Sequence, residues 1–220
     1  MSYAASFKTL PTARYIQNED SCVGSGGKGV VSRAFDTTNG RVVALKFQAR
    51  DKRPAALQQH KREHDIHSAL SDHPNIVTLI DTYITEEHVV SAMHLCRGGD
   101  LFTVVFDSDI PLRVDEFHRG FLQLTSALSY MHDNGLYHRD IKPENVLVSP
   151  DRRTWQICDF NCATEQETTK GAGIGTTFYR APEVFRGHHS NPEADIYALG
   201  MTFFVAVART NPWVLPRRDD

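Results

Sequence analysis

Cysteine is scarce in this chain: Cys22, Cys96, Cys158 and Cys162 are the only four in 220 residues, and they are scattered. No two sit in a metal-like pair with matching partners, so the sequence predicts reduced thiols and no disulfide framework. Long apolar runs are also missing. The longest, residues 201–208, is far too short to span a bilayer, and residues 1–14 hold no signal-peptide core. The expectation is a cytoplasmic or nuclear protein with no membrane partner. Excess charge of either sign is absent too, with 24 Lys and Arg against 27 Asp and Glu, interspersed. That balance gives no electrostatic case for a nucleic-acid partner. There are no repeats or low-complexity segments, and the oligomeric state is left open. What is present is ordinary globular composition, 40% hydrophobic and 23% charged, enough for one large domain or two small lobes.

The first third reads as strands. Residues 30–35 are rich in strand formers, Asn39-Gly40 is a hairpin turn, and residues 41–47 resume the apolar run. Pro54 suits the first turn of a helix carrying Leu57, Ile66 and Leu70, closed by His73-Pro74-Asn75. Residues 76–80 and 88–93 predict two further strands around the polar Thr85-Glu86-Glu87. Phe117, Phe121, Leu124, Leu128 and Met131, spaced 4, 3, 4 and 3 apart, predict one buried helix face ended by Asn134-Gly135. Short strands follow at 146–148 and 155–158, then a polar stretch at 164–177. A last helix covers about 194–208, and its second half, apolar all round, predicts burial on every side.

Gly24-Ser25-Gly26-Gly27-Lys28-Gly29-Val30-Val31 fits G-x-G-x-x-G-x-V, in which absent side chains let backbone N–H groups approach phosphate oxygens. A Walker loop would need Ser or Thr where Gly29 stands, and that loop and the dinucleotide fingerprint both open a helix, whereas this one runs into a strand. In Val43-Ala44-Leu45-Lys46 a lysine lies among apolar strand residues, where it could reach an ATP phosphate. Glu63 on the following helix is the best carboxylate to hold it. His138-Arg139-Asp140-Ile141-Lys142-Pro143-Glu144-Asn145 is the specific signal, because five chemically matched positions coincide by chance on the order of 1 in 10⁴ times. Asp140 can accept or orient a substrate hydroxyl's proton, Lys142 can neutralise charge on a transferred phosphoryl group, and Asn145 can offer an amide oxygen to Mg2+. Asp159 supplies the carboxylate that a bridging Mg2+ requires. His60, His64 and His67, spaced 4 and 3 apart, could share a helix face for a metal, although a solvated face is the better account.

Together with Ala181-Pro182-Glu183, this ordered set resembles the eukaryotic protein kinase family over residues 15–220. The resemblance implies an α+β, bilobal protein-kinase-like fold, with a small antiparallel β lobe containing one helix and a mainly helical larger lobe. It implies an extension at 1–14, the small lobe at 15–93, a hinge at 94–99 and the larger lobe at 100–220. ATP would bind between the lobes, touching the loop from Gly24 to Gly29 with Ser25, Gly26, Gly27 and Lys28. His94, Leu95 and Cys96 would form the hinge, Met93 would guard the back pocket and Asp100 would approach the ribose. Val31, Ala44 and Leu147 would sandwich adenine, Cys158 would line the pocket, and Asp195 would anchor the catalytic loop. Lys142 and Gly175-Thr176 resemble the serine/threonine branch, implying transfer of the γ-phosphoryl group to serine or threonine of a protein substrate. Thr176 would bond to Asp140 and Lys142. Arg139 implies a basic pocket for a phosphorylated segment, with Thr164, Thr168 and Thr169 as candidates, although Gly171 and Ala172 lie where the acceptor residue is expected.

Three departures favour the alternative of a pseudokinase or regulatory fragment that binds without turnover. Asn161 replaces a glycine after Asp159-Phe160, and its tolerance of left-handed backbone angles predicts a stiffer hinge. His67 replaces an apolar residue, and its polar ring is expected to loosen the helix carrying Glu63. The resemblance also implies further helices beyond residue 220, so the larger lobe is expected to be incomplete. Glu183 would then be a buried unpaired carboxylate, and Phe203, Phe204 and Val205 would lack covering partners.

Overall fold

The computed structural model describes residues 8–9, 13–17, 22–26, 29–108, 110–171 and 173–210. Gly27, Lys28, Ala172 and residues 1–7 and 10–12 of the predicted extension lie outside these. The chain forms two compact units, Met1–Ser71 with Val77–Leu95, and Asp72–Ile76 with Cys96–Asp220.

In the first unit the β-branched and aromatic runs form a seven-stranded sheet. Its strands are β1 (Lys8–Thr9), β2 (Tyr15–Ile16), β3 (Cys22–Gly26), β4 (Gly29–Asp36), β5 (Arg41–Ala49), β6 (Leu79–Ile84) and β7 (His88–His94). The order is β1-β6-β7-β5-β4-β2, with β3 also on β4, and every pairing is antiparallel except β1 with β6. Asp36 holds the Asn39-Gly40 turn, accepting hydrogen bonds from Thr38 N at 3.0 Å and, through its backbone oxygen, from Gly40 N at 2.9 Å. The Arg14 guanidinium pairs with this buried carboxylate at 2.8 Å and holds it far below the usual carboxylate range. Alternation then sorts β5: Val43 and Leu45 join Tyr15, Ala34, Tyr83, Val90 and Ala92 in one apolar core, while Ala44, Lys46 and Gln48 face the other way. Helix α1 (Pro54–Leu70) carries Glu63 and ends at Ser71, short of the predicted His73-Pro74-Asn75.

The predicted strand at 76–80 is displaced. Ile76 instead bridges to Ile157 in the second unit's own structure, and β6 begins at Leu79 and continues through the polar Asp81 and Thr82. Apolar content alone marks Ile76 and Val77, whereas backbone pairing with β7 decides the strand.

The second unit comprises α2 (Leu101–Phe106), α3 (Val114–Asp133), β8 (Val146–Val148), β9 (Trp155–Ile157), β10 (Thr168–Lys170), β11 (His188–Ser190) and α4 (Asn191–Ala208). The fully buried Trp155 stacks on Phe203, ring centroids 6.2 Å apart, and Leu124, Ala127, Leu128 and Met131 of α3 are buried. Phe121 departs from the predicted face: it is exposed, its ring edge resting on Phe203, while Gly120 lies against Trp155. The second half of the last helix is not buried on all sides, because Phe204 and Val207 are exposed while Val205 is buried. Glu183 is partly exposed rather than buried. Inside the predicted polar stretch, β10 pairs antiparallel with β11, Thr169 opposite His189. No helix among the described residues is long and apolar enough to cross a membrane.

Candidate active site

On the first unit, the register pairs Val31 with Lys46, Lys46 with Ser91 and Ala44 with Met93. Directly paired residues point to the same side of a sheet, so Val31, Ala44, Lys46 and Met93 share one face. The β3–β4 hairpin brings the glycine motif to one end of that sheet. Gly29, at φ +124°, has no room for a side chain: a Cβ there would meet the Phe47 carbonyl oxygen at 2.1 Å. Around Gly24, by contrast, none of the described residues lies within 4 Å of a Cβ position.

Lys46 is buried, and its Nζ donates to Glu63 Oε1 at 3.1 Å. The other oxygen, Oε2, accepts from Gln48 Nε2 at 3.3 Å. Both carboxylate oxygens are therefore held from β5. The three histidines of α1 do not converge: His64 Nδ1 meets Thr82 Oγ1 at 3.0 Å and His67 Nε2 donates to the Val77 carbonyl at 2.6 Å. Among the described residues no group of three or more His, Cys, Asp or Glu is placed to hold a metal. The bond from the buried His67 fastens α1 to the segment before β6, which corrects the expectation that a polar ring there loosens the helix.

On the second unit, Asp195 of α4 is fully buried and receives His138 N at 2.8 Å and Arg139 N at 2.7 Å. Arg139 sits at φ +63°, a conformation that costs on the order of 1–3 kcal/mol and persists only where neighbours over-determine it. His138 donates from Nε2 to the Cys158 carbonyl at 3.1 Å and accepts Asp140 N at Nδ1, 3.2 Å away. Burial holds this imidazole below its ordinary pKa. Asp140 is thus oriented from its own backbone outward. Its Oδ1 accepts from Thr176 N and Oγ1, both at 2.8 Å, and its Oδ2 from Asn145 Nδ2 at 3.1 Å, with Lys142 Nζ 3.5 Å away. Lys142 Nζ also donates to Thr176 Oγ1 at 2.7 Å. Gly175, at φ +102°, makes this approach possible, because a Cβ would meet the Arg139 carbonyl oxygen at 2.2 Å.

Asn145 Nδ2 donates to both the backbone oxygen and the carboxylate of Asp140, which presents the amide oxygen, a hard donor, on the other side. Asp159 adds a half-buried carboxylate at φ +69°. One carboxylate and one amide oxygen suit Mg2+, which takes one or two protein oxygens and fills the rest of its octahedron with phosphate and water. Asn161 does not use the left-handed region predicted for it. Instead its Nδ2 donates to Asp159 Oδ1 at 3.0 Å.

The unit boundary falls between Leu95 and Cys96. Cys96 Sγ donates to Val148 O at 3.1 Å, and burial pushes this thiol's pKa up. Asp100 accepts Thr103 N at 2.8 Å and so caps α2, its backbone bridging to Leu147. Cys158 N donates to Asn145 O at 3.0 Å. Ser25 and Gly26 lie in β3, and His94 ends β7.

Sequence reasoning missed Gln48, Asn191 and the tether made by His67. Strand alternation from Lys46 could have flagged Gln48. Asn191 had no signal, since its partners are 22 and 25 residues away: its Nδ2 donates to Thr169 Oγ1 at 2.8 Å and Gln166 O at 2.6 Å. Arg139 reaches the same cluster, with Nη1 3.5 Å from Thr169 Oγ1 and Nε donating to Cys162 O at 2.7 Å.

A protein kinase domain model matches residues 17–220. The negative regulator of sexual conjugation and meiosis of Schizosaccharomyces pombe is 31% identical over 220 residues, covering 88% of this chain and 46% of that protein. CBL-interacting protein kinase 28 of rice, Oryza sativa subsp. japonica, is 33% identical over 199 residues, 87% of this chain and 45% of the relative. Serine/threonine-protein kinase KSP1 of Saccharomyces cerevisiae is 29% identical over 167 residues, 72% of this chain and 16% of the relative. The chain spans about half the length of the first two relatives, or less.

Proposed function

The chain belongs to the protein kinase family, and from that premise we propose that it transfers the γ-phosphoryl group of ATP to serine or threonine hydroxyls of protein substrates. The observation that carries this reading is the Asp140 network, in which Thr176, Asn145 and Lys142 surround one carboxylate. Its oxygens are oriented before substrate arrives, so Asp140 accepts the hydroxyl's proton or aims the hydroxyl at the phosphorus. Lys142, fixed by Thr176, balances negative charge on the phosphoryl group in flight.

Asn145 and Asp159 are the residues that would hold Mg2+, which when bound neutralises charge on the nucleotide's phosphates. Lys46, oriented by Glu63 and Gln48, would pair with an ATP phosphate, and the missing side chain at Gly24 suits a phosphate approaching backbone N–H groups. Such a site works by positioning and electrostatics. A protein substrate is the partner this reading requires.

The alternative, a module that binds partners without turnover, predicts no transfer, although the full complement of Lys46, Glu63, Asp140, Asn145 and Asp159 supports turnover. The test uses γ-labelled ATP and a mixed library of serine, threonine and tyrosine peptides, followed by phosphoamino-acid analysis. Label on serine and threonine alone is expected. Label confined to tyrosine, or none, contradicts the proposal.

A further inference from the structure

Asn161 stands where the glycine of this motif is replaced, and its backbone is not left-handed. The residue therefore does not substitute for glycine's conformational freedom. It adds a side chain, and that side chain donates from Nδ2 to Asp159 Oδ1 at 3.0 Å. Between the two lies Phe160, 1% exposed, its ring edge on His138 at 5.2 Å and its carbonyl receiving Ala163 N at 3.0 Å. The residue joining donor and acceptor is thereby anchored, and the amide bond bears on the orientation of the carboxylate.

We propose that Asn161 is a positioning residue for the divalent cation, acting through Asp159. The inference rests on the reading of Asp159 as a metal ligand. A carboxylate at an exposed or half-buried position samples several rotamers, and a cation must select the one that ligates. Donation from Asn161 to Oδ1 favours one orientation of the Asp159 carboxylate beforehand. Because the donor is neutral, it does so without cancelling the carboxylate's charge, which a lysine or arginine in that place would do. Outer donors of this kind typically change metal affinity by about 10- to 100-fold when removed. A glycine at 161 would leave Asp159 without this donor.

The experiment compares the wild-type chain with Asn161→Gly and Asn161→Ala, using a fluorescent ATP analogue whose binding is followed without turnover. Two quantities are read for each: the Mg2+ concentration giving half-maximal nucleotide binding, and nucleotide affinity in EDTA. Both variants are expected to need about tenfold more Mg2+, with unchanged affinity in EDTA and an unchanged melting temperature without ligand. An unaltered Mg2+ requirement overturns the proposal. So does a parallel loss of affinity in EDTA or of melting temperature, which would assign Asn161 a structural role. If the wild-type chain itself shows no Mg2+-dependent nucleotide binding, the kinase reading fails, and the proposal with it.

Discussion

Glu63 is held at both oxygens, by Lys46 at 3.1 Å and by Gln48 at 3.3 Å, with all three side chains buried. Replacing Gln48 by leucine leaves one buried oxygen without this donor, a loss of about 1–3 kcal/mol. Urea denaturation of Gln48→Leu is expected to show that drop, accompanied by a raised KM for ATP; unchanged values for both would remove Gln48 from the site. His138 gives a pH prediction. Burial lowers its folded-state pKa from 6.5, and its Nδ1 must stay unprotonated to accept Asp140 N. The unfolded chain then binds more protons than the folded one below pH 6.5, so stability rises with pH through that window and is lost on acidification. The lowered pKa values of His60, His73 and His189 act in the same direction. Melting temperature is expected to fall steadily from pH 7 to pH 5, and a flat profile would contradict this. Sequence pattern picked out Asp140 and Lys46 as candidates because the proposed chemistry fixes residue type at fixed spacing. It did not reveal what Asn161 does, because backbone angle and side-chain bond are different uses of one residue and only coordinates separate them.

At the scale of elements, α4 and the catalytic loop are joined by one buried side chain. Asp195 receives two backbone N–H groups, one of them on Arg139 at φ +63°. Asp195→Ala strands the buried His138 N, the part-buried Arg139 N and His132 Nε2 and releases the strained turn, at about 1–3 kcal/mol for a buried donor. Asp195→Asn keeps one acceptor oxygen and is expected to lose roughly half as much, as thermal unfolding of the two variants would show. Equal, negligible losses would mean the loop holds itself. Local signals read most elements well: Asn39-Gly40 with its flanking strands, Pro54 opening α1, and the periodicity of α3. They failed where pairing partners are distant in sequence. β10 and β11 lie about 20 residues apart and neither is apolar, so nothing local marks them. β6 was displaced because hydrophobicity pointed to Ile76, which the second unit takes for its own bridge to Ile157.

Across the whole molecule, the chain divides into a β-rich unit carrying Lys46 and Glu63 and a more helical unit carrying Asp140, Asn145 and Asp159. Family membership was legible because the motifs occur in a fixed order along the chain, and the kinase domain match spans nearly all of it. The second half of α4 was legible only in part: Phe204, expected to lack a cover, is exposed, whereas Val205 is buried and Phe203 is covered by Trp155 and Phe121. The proposed phosphoryl transfer depends most directly on Asp140. The rate of labelled phosphate transfer from ATP to a serine or threonine peptide should be measured for the wild-type chain and for Asp140→Ala. Loss of a general base predicts a fall of about 10²- to 10⁴-fold. Transfer that survives the substitution undiminished would contradict the account.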